Sequence, residues 1–440
     1  MEQGAETASK REKIEDDAVS LHARGGMEEG NGEIRTAEED TKQAAAAPPP
    51  GPVTDHGLVT WLQVLAAFGM WTNSWGIVNS FGVFQTYYQV AHLSHKSPSQ
   101  IAWIGSMQGF LLIVAGMLSG PLHDAGHFRL MSLVGSLLVV FGLMMTSLCT
   151  EYWQTFLAQS IVVGIGSGLV LIPSAALIPQ YFVKRRAVAT SLASGGSGFE
   201  IEPRAGFGWA VRAIAFIALF FAVLSMVLAR NRIPPRKPRK LFDVGFFKET
   251  SLILLSIGGL FAFMGLYIPT GYIGVYAIDL KIAGASTAFY LTAVAQAGNF
   301  AGRLVVTPFA DKIGPVNICV MSSLSAGILS FCWIAIKNVA GLVVFGVLFG
   351  SCLGLILGMA AAGYATLMRA DISKYGAYLA CGFFTVSPGI LIGNPISGAI
   401  LGADHSFVGL QAFSGAVLLV GACFIFAARW AAVGWAMKSI

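Results

Sequence analysis

The sequence predicts an all-α polytopic membrane protein built from two six-helix halves, and three observations carry that prediction. Of its 440 residues, 55% are hydrophobic and 12% are charged, whereas an ordinary soluble domain is about 25% charged. Eleven apolar runs each approach or exceed the roughly 20 residues that a helix needs to cross a hydrocarbon core of about 30 Å. A basic, proline-containing segment between residues 230 and 250 separates these runs into two groups.

The first 56 residues differ from the rest of the chain in charge and in apolar content. They contain 13 acidic and 6 basic side chains, a net of −7, while the other 384 residues carry a net of +12. Because they contain no long apolar run, they bury too little apolar surface to offset the entropy of the free chain. We therefore expect residues 1–56 to form a disordered acidic cytoplasmic tail, either simply solvated or regulatory.

Residues 57–229 are expected to form the amino-terminal helix bundle. Its long apolar runs lie at 58–84, 101–121, 130–149, 156–178 and 207–228. A further apolar segment at 187–199 has 13 residues and would reach only about 20 Å as a helix. Because the basic segments before and after it both belong in the cytoplasm, this segment must also cross, and helix 5 is predicted to be truncated. An error in splicing or gene prediction and a genuine short helix are the two explanations.

The second half follows a basic cytoplasmic linker at 230–250. We expect the carboxy-terminal bundle at 251–430 and a cytoplasmic carboxy-terminus at 431–440. The long apolar runs of this half lie at 252–276, 288–306, 318–336, 339–367, 377–401 and 407–428. Within 339–367, glycines at 346, 350, 354 and 358 recur every four residues, which is typical of a surface on which two membrane helices pack closely.

The loop lysines and arginines orient the helices, because cytoplasmic loops are enriched in them. With the tail in the cytoplasm, fourteen of these residues fall on the tail's side and four on the other, namely Lys96, Arg204, Lys281 and Lys337. Both termini and the central linker are therefore predicted to be cytoplasmic. The plasma membrane is the expected location of this multi-pass chain.

A similar short loop joins the second and third helices of each half. Each loop contains an acidic residue, a basic residue and a glycine, and these are Asp124, Gly126 and Arg129 in one half and Asp311, Lys312 and Gly314 in the other. Two repeats that enclose a site near the middle of the membrane are the usual layout of a secondary transporter. The repeat therefore predicts alternating access by the rocking of two halves.

These loops resemble the signature of the major facilitator superfamily, and the resemblance implies the major facilitator fold. Asp124 and Asp311 match the acidic residue of that signature. The first copy departs from the usual spacing, because Gly126 follows Asp124 by two positions instead of three. The residues that the resemblance implies for conformational gating are Asp124, Arg129, Asp311, Lys312 and Gly314.

Within that superfamily, three segments are similar to the monocarboxylate porter family, especially its fungal branch. Residues 55–61 resemble the family's Asp-Gly-Gly…Trp opening, with His56 where a glycine is usual. Residues 181–193 match the start of its fifth helix, and residues 393–398 resemble the Gly-x-Pro-x-x-Gly of its eleventh. The resemblance implies transport of a small organic solute, such as a monocarboxylate-like acid or an acidic secondary metabolite. Fungal members include importers and exporters, so both import and efflux are open.

Arg303 is the clearest candidate for a substrate contact, because a charge inside a spanning helix is costly and usually functional. Asn299 lies four residues earlier, on the same helix face. The resemblance implies that this arginine binds a substrate carboxylate, which a planar guanidinium can grip in two places. Asn299 stands where the family has a proton-carrying Asp, and Asn79 stands where its proton-coupled members have a first-helix Lys. Proton-coupled lactate transport is therefore not expected. The alternative is that Arg303 snorkels to the interface or braces the Asp311 loop.

Three further polar residues are candidates for the substrate site, namely Asn73, Asn79 and Tyr272. Tyr272 lies close to Pro269, and a proline kink frees backbone carbonyls that can line a pathway. Asn73 and Asn79 are six residues apart and cannot share one narrow helix face, so an interhelical hydrogen bond is the alternative for one of them. For Tyr272 the alternative is a packing kink with interfacial tyrosines.

No motif in the sequence indicates an enzyme. The chain has no Gly-x-x-x-x-Gly-Lys-Ser/Thr loop, no His-Glu-x-x-His and no cysteine pair with metal-ligand spacing among its six cysteines. We therefore expect no cofactor, no metal, no ATP and no nucleic acid. The expected partners are a small-molecule substrate and the lipid bilayer. A non-transporting membrane sensor or scaffold with the same fold is the alternative function.

Overall fold

The computed structural model describes residues 57–182, 206–232, 243–368 and 375–434, without the side chains of Pro179, Asp311 and Tyr375. The predicted acidic tail, the predicted short helix at 187–199, most of the linker and residues 435–440 lie outside the described residues.

All eleven long apolar runs form helices, which we number α1 to α11. They are α1, an interrupted helix at 58–92, α2 at Pro98–Asp124, α3 at Phe128–Thr146, α4 at Tyr152–Leu177, α5 at Phe207–Leu228, α6 at Thr250–Asp279, α7 at Ala285–Val306, α8 at Pro315–Trp333, α9 at Val339–Leu367, α10 at Tyr375–Asp404 and α11 at Phe407–Val433. A short 3₁₀ helix at Val244–Lys248 precedes α6. No strand occurs among the described residues, which confirms the all-α fold class.

Local interactions move several helix ends away from the predicted positions. α2 begins three residues before the predicted run, because Pro98 occupies its first position and Ser97 forms a capping box with Gln100. α3 ends three residues earlier than predicted. The N–H groups of Leu148 and Cys149 bond to carbonyls three residues back, which is the tighter pattern common at helix ends.

The outer surfaces of the helices are apolar, as expected for surfaces in contact with lipid. On α5, the large side chains of Phe216, Phe220, Val223 and Val227 are exposed and recur every three or four residues on one face. The buried residues of this helix are mostly small and comprise Ala210, Val211, Ala215, Ala218, Ala222 and Ser225. Small side chains that face neighbouring helices are typical of packed membrane helices.

Nine of the described helices are both long enough and apolar enough to cross a membrane. The other two are α1 and α7, which carry most of the predicted site residues. α1 is interrupted by a π-helical turn at Thr72–Gly76 and again at Ser80, while α7 contains Gln296, Asn299 and Arg303. A polar site is therefore expected on α1 and α7, the two helices that depart from the regular apolar pattern.

The helix ends define two faces of the molecule. We name them the Asp124 face, which contains the end of α2 and the start of α6, and the Ser99 face, which contains the start of α2 and the end of α10. Both repeat loops lie on the Asp124 face and turn at a glycine with positive φ, 90° at Gly126 and 94° at Gly314. A residue with a side chain is strained in this conformation, which favours glycine. Gly126 and Gly314 therefore have the same structural role in the two loops, although their spacing from the acidic residue differs.

The two halves, α1–α5 and α6–α11, pack against each other at the Ser99 face. Ser99 Oγ donates a hydrogen bond to Pro395 O at 2.9 Å. Gly82 of α1 lies so close to Thr270 of α6 that a Cβ at Gly82 would overlap Thr270 O. A core that contains residues of both halves lies next to these contacts and includes Val78, Leu112, Ile268 and Ile390.

At the Asp124 face each half has a core of its own. The core of the first half includes Phe128, Leu177 and Phe182, and the core of the second includes Leu252, Val316 and Tyr378. In the part of the chain that the structure describes, neither cluster contains a residue from the other half. The packing between the halves is therefore concentrated on the side of Ser99.

Helices α7 and α9 approach closely through their glycines. A Cβ at Gly350 would overlap Ala295 O, and a Cβ at Gly354 would overlap Asn299 O. The close packing predicted from the four-residue glycine spacing is therefore found at two of the four glycines, since a Cβ at Gly346 or Gly358 would meet no atom nearer than 3.6 Å. Because two backbones are in contact here, the carbonyl groups of α9 lie beside the polar face of α7 that carries Arg303.

Candidate functional site

Arg303 lies inside the protein, near the middle of α9. It is 4% exposed, and its Nε donates a hydrogen bond to Gly354 O at 3.1 Å. Gly354 precedes the last residue of α9 by 13 positions, which is about 20 Å of helix. Burial of the side chain against α9 argues against snorkelling, and no hydrogen bond to the Asp311 loop is found for Arg303 among the described residues.

No acidic side chain pairs with the positive charge of Arg303 among the described residues. The ion pair found there joins His123 and Asp124. The terminal guanidinium nitrogens make no hydrogen bond in the described part of the chain. Tyr267 lies close enough to interact electrostatically, and its hydroxyl also lacks a partner there. Because opposite charges attract more strongly in a low-dielectric interior than in water, this arrangement can bind one anionic group.

Asn79, Gln296 and Asn299 form a hydrogen-bonded chain beside Arg303. Gln296 Nε2 donates to Asn79 O at 3.1 Å, and Asn299 Nδ2 donates to Gln296 Oε1 at 3.0 Å. All three residues are buried. The chain joins α1 to α7 and so connects the two halves of the molecule. Three of the predicted site residues, Asn79, Asn299 and Arg303, are therefore brought together.

Several side-chain atoms of these three amide residues are buried without a hydrogen-bond partner among the described residues. They are Asn79 Nδ2, Asn79 Oδ1 and Asn299 Oδ1. An unpaired buried polar group costs about 1–3 kcal/mol. These atoms are therefore groups with which a polar ligand can form hydrogen bonds.

Asn73 and Tyr272 make hydrogen bonds with other helices. Asn73 Nδ2 donates to Ala218 O at 3.1 Å, which holds α1 against α5. Tyr272 Oη donates to Asn394 O at 3.3 Å, which holds α6 against α10. For Asn73 this contact matches the interhelical alternative that the sequence left open.

Gln296 was not among the residues predicted from the sequence, and of the tyrosines that flank Pro269 the prediction placed Tyr272, not Tyr267, in the substrate site. α6 is interrupted at Tyr267, two residues before Pro269, which confirms a break near that proline. Tyr267 and not Tyr272 is the tyrosine near Arg303, because residues five positions apart point in different directions on a helix. Gln296 precedes Asn299 by three residues, and this helical spacing is the signal that would have identified it.

The residues predicted for gating lie in or beside the two loops of the Asp124 face. Asp124 is 4.0 Å from the Nδ1 of His123, and Arg129 and Lys312 are exposed. Gly314 supplies the turn with positive φ between α7 and α8. The side chain of Asp311 lies outside the described part of the structure.

No group of three or more His, Cys, Asp or Glu side chains that could hold a metal ion occurs among the described residues. The cysteines there are Cys149, Cys319, Cys332, Cys352, Cys381 and Cys423, and all of them are free.

Comparison with proteins of known sequence gives relatives that match over most of both chains. The chain is 37% identical to "MFS-type transporter dbaD" of Emericella nidulans over 408 residues, which covers 89% of this chain and 92% of the relative. It is 38% identical to "Aspyridones efflux protein apdF" of the same organism, with 89% and 82% covered. It is 34% identical to "Agnestins efflux protein AgnL12" of Paecilomyces divaricatus, with 90% and 92% covered.

The fold also matches a solved structure. A crystal structure of the nucleoside transporter NupG superposes with a TM-score of 0.63 at 15% identity, covering 85% of this chain and 98% of that one. At this identity the match shows the fold alone.

The family model described as Major Facilitator Superfamily matches residues 59–394. This range includes the repeat loops, the chain of amides and Arg303. The protein therefore belongs to the Major Facilitator Superfamily, and it is a multi-pass membrane transporter of a small organic solute.

Proposed function

We propose that this transporter exports a small organic acid and that Arg303 binds the acid's anionic group. The observation that carries the proposal is the buried guanidinium, which has no acidic partner and no hydrogen bond at its terminal nitrogens among the described residues. A buried charge without a partner is costly, and an anion that enters the site removes that cost. An organic anion is therefore the ligand class that the site favours.

Asn299 and Asn79 supply neutral hydrogen-bonding groups to the proposed site. An amide can donate and accept hydrogen bonds but does not titrate in the physiological pH range, so neither residue is proposed to carry a proton. Tyr272 is proposed to line the same pathway from α6. For Asn73, the contact with Ala218 supports a structural role.

Export of a secondary metabolite is supported by the names of two relatives, one an aspyridones efflux protein and the other an agnestins efflux protein. The motifs that resemble the monocarboxylate porter family support an acid as the transported group. We therefore propose an acidic secondary metabolite, with the monocarboxylate-like chemistry confined to the group that Arg303 binds.

The packing supports loading of the substrate from the Asp124 face, because the halves share a core near Ser99 and have separate cores at the other face. We propose that the Asp124 face is cytoplasmic, with both termini on that side, and that the membrane is the plasma membrane. In this orientation Asp124, Arg129, Asp311, Lys312 and Gly314 belong to the loops that rearrange when the cytoplasmic side closes.

The proposal is tested with inside-out membrane vesicles from yeast that express the full chain, because export appears in them as accumulation. The vesicles receive a mixture of carboxylic acids and their methyl esters, together with aspyridones and agnestins, and the accumulated compounds are identified by mass spectrometry. We expect one or more acids to accumulate and their neutral esters to be excluded. Arg303→Gln should reduce accumulation by about 100-fold, as expected when a charged partner of the substrate is removed.

Arg212→Gln is the matched control. Arg212 is also an arginine within a spanning helix, but it contacts Ser147 Oγ and the ring of Trp209 near the Ser99 face. This variant should transport at the wild-type rate. Accumulation of esters alone, or wild-type transport by Arg303→Gln, would contradict the proposal.

A further inference from the structure

Gln296 occupies a position that links the proposed anion site to the other half of the transporter. It is 2% exposed and lies three residues before Asn299 and seven before Arg303, on the same face of α7. Its amide is used at both ends. The nitrogen donates to Asn79 O, and the oxygen accepts a hydrogen bond from Asn299 Nδ2.

The bond to Asn79 O crosses from one half to the other inside the membrane. The side-chain hydrogen bonds that join the halves in the described part of the chain include this one and the bond from Ser99 Oγ to Pro395 O. The Ser99 bond lies at the start of α2, where Ser99 is partly exposed. The Gln296 bond is buried, so water does not compete with it while the Ser99 face is closed.

The acceptor of this bond lies at an interruption in α1. Asn79 is the last helical residue before Ser80, and the N–H of Val83 bonds to Ser80 O, three residues back. The position of Asn79 O therefore depends on the break in α1, and a change in that break moves the acceptor away from Gln296.

We propose that Gln296 is a positioning residue that holds the Ser99 face closed and releases it when an anion binds. In the structure, Asn299 Nδ2 fixes the orientation of the Gln296 amide. An anion at Arg303 lies within one helical turn of Asn299 and competes for that donor. Gln296 then loses the partner that orients it, the bond to Asn79 O weakens, and the Ser99 face opens to release the anion. The release step rests on the proposed function, whereas the closing role does not.

Alternative partners for the released amide are already in place. Asn79 Nδ2, Asn79 Oδ1 and Asn299 Oδ1 are buried and have no hydrogen-bond partner among the described residues. After release, the Gln296 amide nitrogen can donate to Asn299 Oδ1 on its own helix in place of Asn79 O, so that the hydrogen bond no longer joins the halves. The region therefore has two arrangements available, which is what a residue that couples binding to opening requires.

The test measures opening of the Ser99 face without any ligand. Spin labels are attached at Ser94→Cys in the first half and Ala403→Cys in the second, both exposed positions on that face, after the six native cysteines have been replaced by serine. Pulsed electron resonance then gives the fraction of molecules with the longer, open distance. Gln296→Met keeps the size of the side chain and removes both hydrogen bonds. We expect it to raise the ratio of open to closed molecules by about 3- to 18-fold, the range expected for one interhelical hydrogen bond in a membrane.

Gln411→Met is the matched control, because Gln411 is a buried glutamine of α11 with no hydrogen bond to the other half among the described residues. It should leave the open fraction unchanged. Gln296→Asn, which is one methylene shorter and cannot reach both partners, should also raise the open fraction and serves as the second variant if Gln296→Met does not fold. A wild-type open fraction in a folded Gln296 variant would overturn the proposal.

The same labels separate this proposal from the proposed function. If Gln296 variants open the Ser99 face and no organic acid is transported, the closing role stands and the acid substrate fails. If acids are transported through Arg303 and Gln296 variants stay closed, the positioning role fails and the function stands. An acid identified in the vesicle assay should raise the open fraction of the wild-type protein and leave that of Gln296→Met unchanged, and an equal increase in both would overturn the release step.

Discussion

At the Ser99 face the two halves share hydrogen bonds and a core, whereas at the Asp124 face each half packs on itself. On the first face, glycines allow the backbones of opposite halves to touch, as Gly82 and Thr270 do. On the second face, the glycines with positive φ serve turns within one half. Glycine therefore permits closure between the halves on one side and shapes loops on the other. In this structure the Ser99 face is closed. The contacts that must break for the transporter to open on that side are therefore those near Ser99.

The largest effect is expected from a substitution that blocks closure of the Ser99 face. In Gly82→Leu, the Cβ of the new side chain would overlap Thr270 O and lie 2.9 Å from Thr292 Cγ2. Helices α1 and α6 then cannot approach each other as closely as they do here. We expect transport in inside-out vesicles to fall by about 100-fold, because a displacement of about 1 Å in a binding site can have an effect of that size. The spin labels at positions 94 and 403 should report mostly the open distance.

Gly120→Leu is the control for this variant, because no atom lies within 4 Å of a Cβ placed at Gly120 near the Asp124 face. It should transport normally. Equal transport by both variants would show that contact between Gly82 and Thr270 is not needed for closure.

A smaller effect is expected from the glycines that join α7 to α9 within one half. Gly354→Ala would place a methyl group against Asn299 O, whereas the nearest atom to a Cβ at Gly346 is 3.6 Å away. Overpacking of this kind costs about 1–3 kcal/mol. We expect Gly354→Ala to lower the thermal unfolding midpoint in detergent and to weaken transport, and Gly346→Ala to change neither. Identical midpoints for the two variants would contradict the packing described for this helix pair.

The smallest effect separates the two asparagines of α1. Asn73→Leu removes the bond to Ala218 O and should cost about 0.6–1.7 kcal/mol of stability with no change in KM. Asn79→Leu removes two unpaired polar atoms, so it should leave stability unchanged or raise it while increasing KM. Unfolding and transport kinetics of both variants check this division, and the reverse pattern would exchange the roles assigned to the two residues.

Most of the helical arrangement could be predicted from apolar runs, because a membrane helix must satisfy its own backbone hydrogen bonds over a fixed thickness. The runs at 207–228 and 339–367 match their helices at both ends. The ends of other helices depend on capping, as at Ser97, or on a tightened last turn, as after Thr146. These local interactions do not show in an average of hydrophobicity.

The candidate site could be predicted only in part. A buried charge is conspicuous in a sequence, so Arg303 and its neighbour Asn299 were identified from their own helix. Gln296 was not, because a single amide in a helix costs little and its partner, a backbone carbonyl of α1, leaves no trace in the sequence. The choice between Tyr267 and Tyr272 likewise depends on the rotation of α6 after its break, which tertiary packing determines.

Selection of an anion by Arg303 is tested most directly by isothermal titration of the purified transporter with a transported acid and with its methyl ester. We expect the wild-type protein to bind the acid about 10- to 100-fold more tightly than the ester, the range expected for charge-assisted hydrogen bonds. In Arg303→Gln that preference should disappear, while Arg303→Lys should keep part of it. A preference for the acid that persists in a folded Arg303→Gln protein would show that another group binds the anion.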